Sequence, residues 1–256
     1  MIAKYALRFV SLGYLAVLLV APIGFVFWRT FEHGIGPAWD AVATPDALHA
    51  LKVTLILTAI AVPANTIFGV LCALAIVRHR YPGAGIVNAV VDLPLALSPV
   101  VVGLALLVLY GRGGWLGGHG IVFALPGMVL ATIFVSLPFV VREVVPVLRE
   151  IGTEQEQAAS TLGASSLQIL VRITLPAILS GVALAFARAV GEFGSVVLIS
   201  GNVPFKTEVA SVYILGRIES GDSAGAAAVS VVSLGISLVV LLGIGAIRRR
   251  ATRHDG

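Results

Sequence analysis

The stretch VTLILTAIAVPANTIFGVLCALAIV, from Val53 to Val77, decides what kind of chain this is. It contains no Asp, Glu, Lys or Arg and is bounded by Lys52 and Arg78. A helix rises about 1.5 Å per residue, so about 20 apolar residues cross the roughly 30 Å hydrocarbon core of a bilayer. The run is long enough to span. It lacks the strict alternation of a barrel strand, so the spanning element is a helix.

Five more runs of this kind lie on either side, roughly Phe9 to Trp28, Ile86 to Tyr110, Ile121 to Val141, Ala177 to Ser200 and Ala224 to Ile247. The first does not read as a cleaved signal, because Ala21-Pro22-Ile23 supplies no small-x-small site before Trp28 and Arg29. The expectation is an all-α integral membrane protein with six transmembrane helices in a single domain over residues 1–256. Composition agrees. Hydrophobic residues make up 58% of the chain and charged ones 12%, about half the charge of a soluble domain. That balance also excludes disorder, and a single cysteine, Cys72, excludes a disulfide scaffold.

Lys and Arg fall unevenly about the spans. With the N-terminus inside, the inner segments hold Lys4, Arg8, Arg78, Arg80, Arg142, Arg149, Arg172, Arg248, Arg249, Arg250 and Arg253. The outer ones hold Arg29, Lys52, Arg112, Lys206 and Arg217. The positive-inside rule then places both termini in the cytoplasm, with Trp28, Trp39 and Trp115 at or near the outer side. The net charge of +4 is explained by this pattern and by lipid headgroups, without nucleic acid.

Among the connections, Thr44-Pro45-Asp46 carries helix-start chemistry and the Arg78 to Gly83 segment is a short turn. The glycine-rich Gly111 to Gly120 segment should be a flexible outer connector. Residues 209–215 are apolar enough to pack on the bundle or dip into the interface. No internal repeat is evident.

The inner connection from about Arg142 to Pro176 is the longest and is not polar filler. Glu154 to Leu162 suits a helix, with Glu154 and Glu156 placed where its dipole favours anions. Gly163 permits a left-handed turn. A second amphipathic helix follows, with Leu167, Leu170, Val171 and Leu175 on its apolar side, and Pro176 opens the next span. Two short helices hinged at a glycine, beside small Ala158, Ala159 and Ala164, form a knob suited to a partner's groove.

This segment resembles the EAA loop of ABC-importer membrane subunits: E-A-A, three residues, G, nine residues, I-x-L-P. Here Ala158-Ala159 is followed by Ser160 to Leu162, Gly163, nine residues, and Ile173-Thr174-Leu175-Pro176. Gln157 stands where the family usually has Glu, with Glu154 and Glu156 close by. The resemblance implies the type I ABC importer permease fold and a coupling helix that docks on a separate ATPase. The chain has no G-x-x-x-x-G-K-[ST] loop, so ATP and Mg belong to that partner and no cofactor to this chain.

DLPLALSPVVVGLAL (Asp92 to Leu106), PGMVLATIFVSLPFVVREVVPVL (Pro126 to Leu148) and ARAVGEFGSV (Ala187 to Val196) are similar to the sulfate/thiosulfate permeases, most of all the W-type subunit. The last stretch is shared with molybdate permeases, which leaves molybdate or tungstate as the alternative cargo. GNVPFKTE, from Gly201, also resembles the T-type subunit. The resemblance implies a bacterial inner-membrane location, a second permease subunit such as the T-type paralogue, two ATPase subunits and an external sulfate-binding protein.

Charges within spans are costly, which makes Arg188 and Glu192 candidates for function. Four residues apart, they can pair. Either Arg188 lends positive potential to an anion path restrained by Glu192, or the two fix helix packing, with Gly191 and Gly194 permitting close approach. Asp92 either pairs with an arginine of a partner subunit or sits at the inner interface. Pro94 and Pro99 should distort the third span, and Ser98 at the break is a pore candidate; Pro63 and Pro138 read as simple kinks.

An enzyme is disfavoured. His33, His49, His79, His119 and His254 fall in loops or termini without metal-ligand spacing, no G-x-S-x-G elbow occurs, and Cys72 sits in an apolar helix. A channel or ion-driven transporter would leave the EAA-like loop without a role.

Overall fold

The computed structural model describes residues 2–78, 83–118, 120–192 and 194–253. The elements are α1 (Ile2–Leu15), a π-helical turn (Ala16–Val20), α2 (Ala21–Phe31), α3 (Ile35–Val42), α4 (Pro45–Arg78), α5 (Ala84–Ala96), α6 (Pro99–Tyr110) and α7 (Leu125–Ile151). There follow α8 (Glu154–Thr161), α9 (Ser166–Ile169), a π turn (Leu170–Thr174), α10 (Leu175–Val190), α11 (Gly194–Ser200), α12 (Ala210–Glu219) and α13 (Ser223–Arg253). Among the described residues the chain is all-helical.

Among the described residues four stretches are long and apolar enough to cross a bilayer: Arg8–Phe31, Pro45–Arg78, Leu125–Glu150 and Ser223–Ala246. A fifth candidate, expected as one span from Ile86 to Tyr110 distorted at Pro94 and Pro99, is two helices, α5 and α6, bent by 104°. The break falls at Leu97 and Ser98, both extended, just ahead of Pro99. A residue before proline is pushed out of the α region by the pyrrolidine ring, so the bend follows from Pro99, while Pro94 is tolerated inside α5. The expected span from Ala177 to Ser200 is also interrupted. It becomes two helices, α10 ending at Val190 and α11 starting at Gly194. Pro63 and Pro138 remain inside continuous helices.

The core is built on α4, which packs most extensively against α7 and also against α10. Gly69 makes this possible, since a Cβ there would sit 2.7 Å from Val140 Cγ1. Valines then fill the half of the contact nearer Arg78: Val70, Val140, Val141, Val144 and Val145 are buried with Leu148 and Ile178. The half nearer Pro45 is tied by Thr54, whose hydroxyl donates to Ala50 O and accepts from Ala210 N.

Several connections differ from expectation. Helix α7 continues past Arg142 to Ile151, which shortens the inner connection. The 111–118 segment is a run of hydrogen-bonded turns, with Gly114 N–H on Gly111 O and Leu116 N–H on Leu109 O. Here Gly111 and Gly114 lie where a Cβ would strike carbonyls of α6, so these glycines serve close packing. His49 is in the second turn of α4, its ring 5.7 Å from that of Phe205. The turn residues 79–82, with His79, and also His119 and His254, lie outside the described residues. Residues 210–215 open α12, whose Ala210, Val212 and Tyr213 are buried against the bundle.

Candidate functional site

A two-helix knob is built from the EAA-like segment. Helix α8 begins at Glu154, with Glu154 and Glu156 in its first turn, and ends in a pair of bonds that explains Gly163. Gly163 N–H bonds to Ser160 O and Ala164 N–H to Ala159 O, both at 3.0 Å. This is the Schellman pattern, whose penultimate residue must be left-handed, and Gly163 has φ +86°. Ser165 then caps α9, accepting from Gln168 N–H while the Gln168 side chain accepts from Ser165 N–H. The second helix is shorter than its pattern suggests: α9 passes through the π turn directly into α10, which Leu175 and Pro176 open.

No residue of α8 is buried. Leu162 is 88% exposed and Leu167 69%, so the tip presents apolar side chains to its surroundings. Between the two helices lies a depression of about 440 Å³ lined by Ala159, Leu162, Gly163, Ala164, Gln168 and Ile169 among others. Exposed apolar surface of this kind marks a contact site. The acids divide their roles. Gln157 turns back to the Thr153 hydroxyl, Glu156 binds Arg78, and Glu154 is exposed.

The second group of candidates lies at the two helix breaks, which pack on each other through α6 and α11. A Cβ on Gly194 would come within 2.8 Å of Pro99 Cβ, and one on Gly103 within 2.5 Å of Ser195 O. Gly194 is therefore a close-approach glycine, as expected; Gly191 meets only carbonyls of its own helix, so the expectation fails there. Arg188, in the last turn of α10, pairs with Glu192 at 2.5 Å and stacks 5.5 Å over Phe139. Glu192 is past the end of α10, and its carboxylate also accepts from Ser195 N–H and Oγ–H at 3.0 and 2.9 Å. The acid thus caps α11 while the arginine faces the carbonyl end of α10, each on the side its helix dipole favours.

Asp92 does not wait for a partner subunit. It is bound by Arg142 of α7, with Nε at 2.7 Å from Oδ1 and the second nitrogen on Oδ2. The sequence reading missed this pair because 50 residues separate its members. It also missed a cluster around Tyr213, whose hydroxyl accepts from Arg217 Nε at 2.7 Å. That hydrogen bond raises the Arg217 pKa. Asp46 and Glu208 line the same small cavity, and burial, reinforced by Asp46, pushes the Glu208 carboxyl above its usual range. Among the described residues no group of three or more His, Cys, Asp or Glu is placed to hold a metal.

The chain is thus a helical bundle with four to five candidate membrane spans, one of them sharply bent, and an exposed two-helix knob at one end. Residues 65–253 match the family described as "binding-protein-dependent transport system inner membrane component", and the chain belongs to that family. It is a transport component and not an enzyme. The sulfate transport system permease protein CysW of Synechocystis is 41% identical over 98% of this chain and 94% of that protein. The CysW protein of Escherichia coli K12 is 45% identical over 75% and 69%, and the CysT protein of Synechocystis 40% over 96% and 89%. In fold, the chain is similar to a bacterial ABC transporter that imports alginate, with a TM-score of 0.74 at 20% identity over 97% of this chain and 95% of that one.

Proposed function

We propose that this chain is the transmembrane permease subunit of an ATP-driven sulfate/thiosulfate importer and forms half of the translocation pathway. The observation that carries this reading is the knob of α8, Gly163 and α9, whose apolar tip at Leu162 and Leu167 is exposed. A separate ATPase, holding ATP and Mg, docks there, with Glu154, Gln157, Ala158, Ala159, Leu162 and Ala164 at the contact. The CysW and CysT names of the relatives support the substrate class.

In this reading the chain crosses the inner membrane of a bacterium six times, α5–α6 and α10–α11 each making one broken crossing. Both termini are cytoplasmic. Irregular backbone at membrane depth is tolerated only where protein or a cavity covers it. Ser98, Pro99, Arg188 and Glu192 accordingly border the gate, and Asp92 with Arg142 sits at its inner end. A second permease subunit of the T type completes the pathway, and two ATPase copies drive it. An external binding protein delivers the anion to the outer segment between Gly201 and Ser223, where Phe205 is exposed and Arg217 and Glu208 meet.

The test is uptake of labelled sulfate by cells with and without the gene, with thiosulfate and molybdate as competitors. Loss of uptake on deletion, with thiosulfate as the stronger competitor in the intact cells, is expected. Intact sulfate uptake with loss of molybdate accumulation would move the cargo to molybdate or tungstate.

A further inference from the structure

One guanidinium ties three elements together at the end of the bundle that carries the knob. Arg78, the last residue of α4, donates from Nη1 to Leu148 O at 3.2 Å. Its Nη2 donates to Gly152 O at 2.5 Å and to the Glu156 carboxylate at 2.8 Å. Leu148 O is among the last four carbonyls of α7, which have no partner in their own helix, and a cation there suits the dipole. Gly152 has φ +66° and ψ −154°, a region open in practice only to glycine, and it turns the chain from α7 into α8. The guanidinium therefore bridges an elbow, with α7 on one side and α8 on the other.

Helix α8 has little else to hold it. None of its residues is buried, and among the described elements it packs appreciably only against α9. The Arg78 and Glu156 side chains are 15% and 21% exposed, which shields their pair from counterions. We infer that Arg78 is a positioning residue that fastens α8 to the inner ends of α4 and α7, so that displacement of α8 is passed to both helices together. This rests on the reading of α8 as the ATPase-docking helix. A planar fork with several donors is what three acceptors in different directions require, and lysine offers only a point charge.

The experiment uses the full complex of permease subunits, ATPase and binding protein in proteoliposomes. It measures ATP hydrolysed per sulfate imported for the wild type, Arg78→Ala, Arg78→Lys, Glu156→Gln and the Arg78→Ala/Glu156→Gln pair. Co-purification of the ATPase reports assembly. The expected result is an assembled Arg78→Ala complex whose ATP cost per anion rises about fivefold or more, the low end of coupling between distant sites. Arg78→Lys should be intermediate, and Glu156→Gln should add nothing to Arg78→Ala. An unchanged ratio, or hydrolysis and import falling in parallel, overturns the inference. If Arg78→Ala fails to assemble, Arg78→Lys and Glu156→Gln decide it, and normal ratios in both overturn it. A wild type that imports molybdate instead overturns only the substrate reading, and the ratio is then read on molybdate. Failure of a cysteine at position 158 to cross-link to the ATPase overturns the docking reading and this inference with it.

Discussion

Arg188–Glu192 and Arg78–Glu156 are both arginine–glutamate pairs, closing at 2.5 and 2.8 Å. The first joins residues four apart, and its carboxylate side chain is 1% exposed. The second joins residues 78 apart at the knob end of the bundle, with both partners partly exposed. The first pair holds open an interruption in the helix that contains it, one member on each side of the break. The second holds two separate elements to one another. An identical pair of side chains thus stabilises local backbone in one region and tertiary geometry in the other, and the two should respond differently to the same substitutions.

The comparison can be broken most sharply at Glu192. Replacing Glu192 with Leu strands Arg188 and leaves Ser195 N–H without its acceptor; removing one member of a buried pair typically costs about 3 kcal/mol or more. Thermal unfolding in detergent should show that loss, and a change within about 0.5 kcal/mol would refute the capping role. Next in size is the exchanged pair Arg188→Glu with Glu192→Arg. It preserves the spacing but sets both charges against their helix dipoles, at roughly 0.3–1 kcal/mol each. It also removes the contact with Phe139. The exchange should therefore fail to restore wild-type stability, whereas full recovery would mean that mutual attraction alone matters.

At the knob, Gly163→Val places a β-branched residue at φ +86°, a strain of about 1–2 kcal/mol. Membrane insertion should persist while sulfate uptake is lost; normal uptake would remove α8 from the coupling path. Smaller still is the cost of Asp92→Asn, because both members of its pair with Arg142 are well exposed, and such pairs are worth about 0–1 kcal/mol.

The cluster around Tyr213 gives a pH dependence of opposite sense to that of a carboxylate stabilised by a salt bridge. Burial raises the Glu208 pKa, so between its ordinary value and the raised one the folded chain binds more protons than the unfolded. Its contribution is therefore most favourable below the ordinary value and is lost as pH rises through the folded one. Glu208→Gln should flatten that decline and raise the melting temperature at neutral pH, and a steeper decline would contradict the assignment.

What the sequence made legible follows from the range of the interactions involved. The α8 helix, its terminal glycine and the Arg188–Glu192 pair are written in residues one to five apart, and local chemistry names them. The proline-driven break before Pro99 was legible as a distortion, though the 104° angle depends on how α6 packs against α11. The second break was not, because Ala177 to Ser200 reads as one span with an i,i+4 ion pair inside it until Glu192 is seen capping Ser195. Asp92–Arg142 and Arg78–Glu156 were out of reach entirely. Which helix ends meet is decided by Gly69 against Val140 and by the packing of α4 on α7, and neither leaves a periodic signal in the chain.

The account turns on α8 being the surface that the ATPase grips. The most direct measurement is cross-linking in membranes that contain the assembled transporter. Cys72 is first replaced by serine, and single cysteines are then placed at Ala158, Leu162 and, as a control, Phe205. The account predicts cross-links to the ATPase from positions 158 and 162, changing in yield when ATP is bound, and none from 205. Absence of any cross-link from α8 in a transporter that still imports the anion would contradict it.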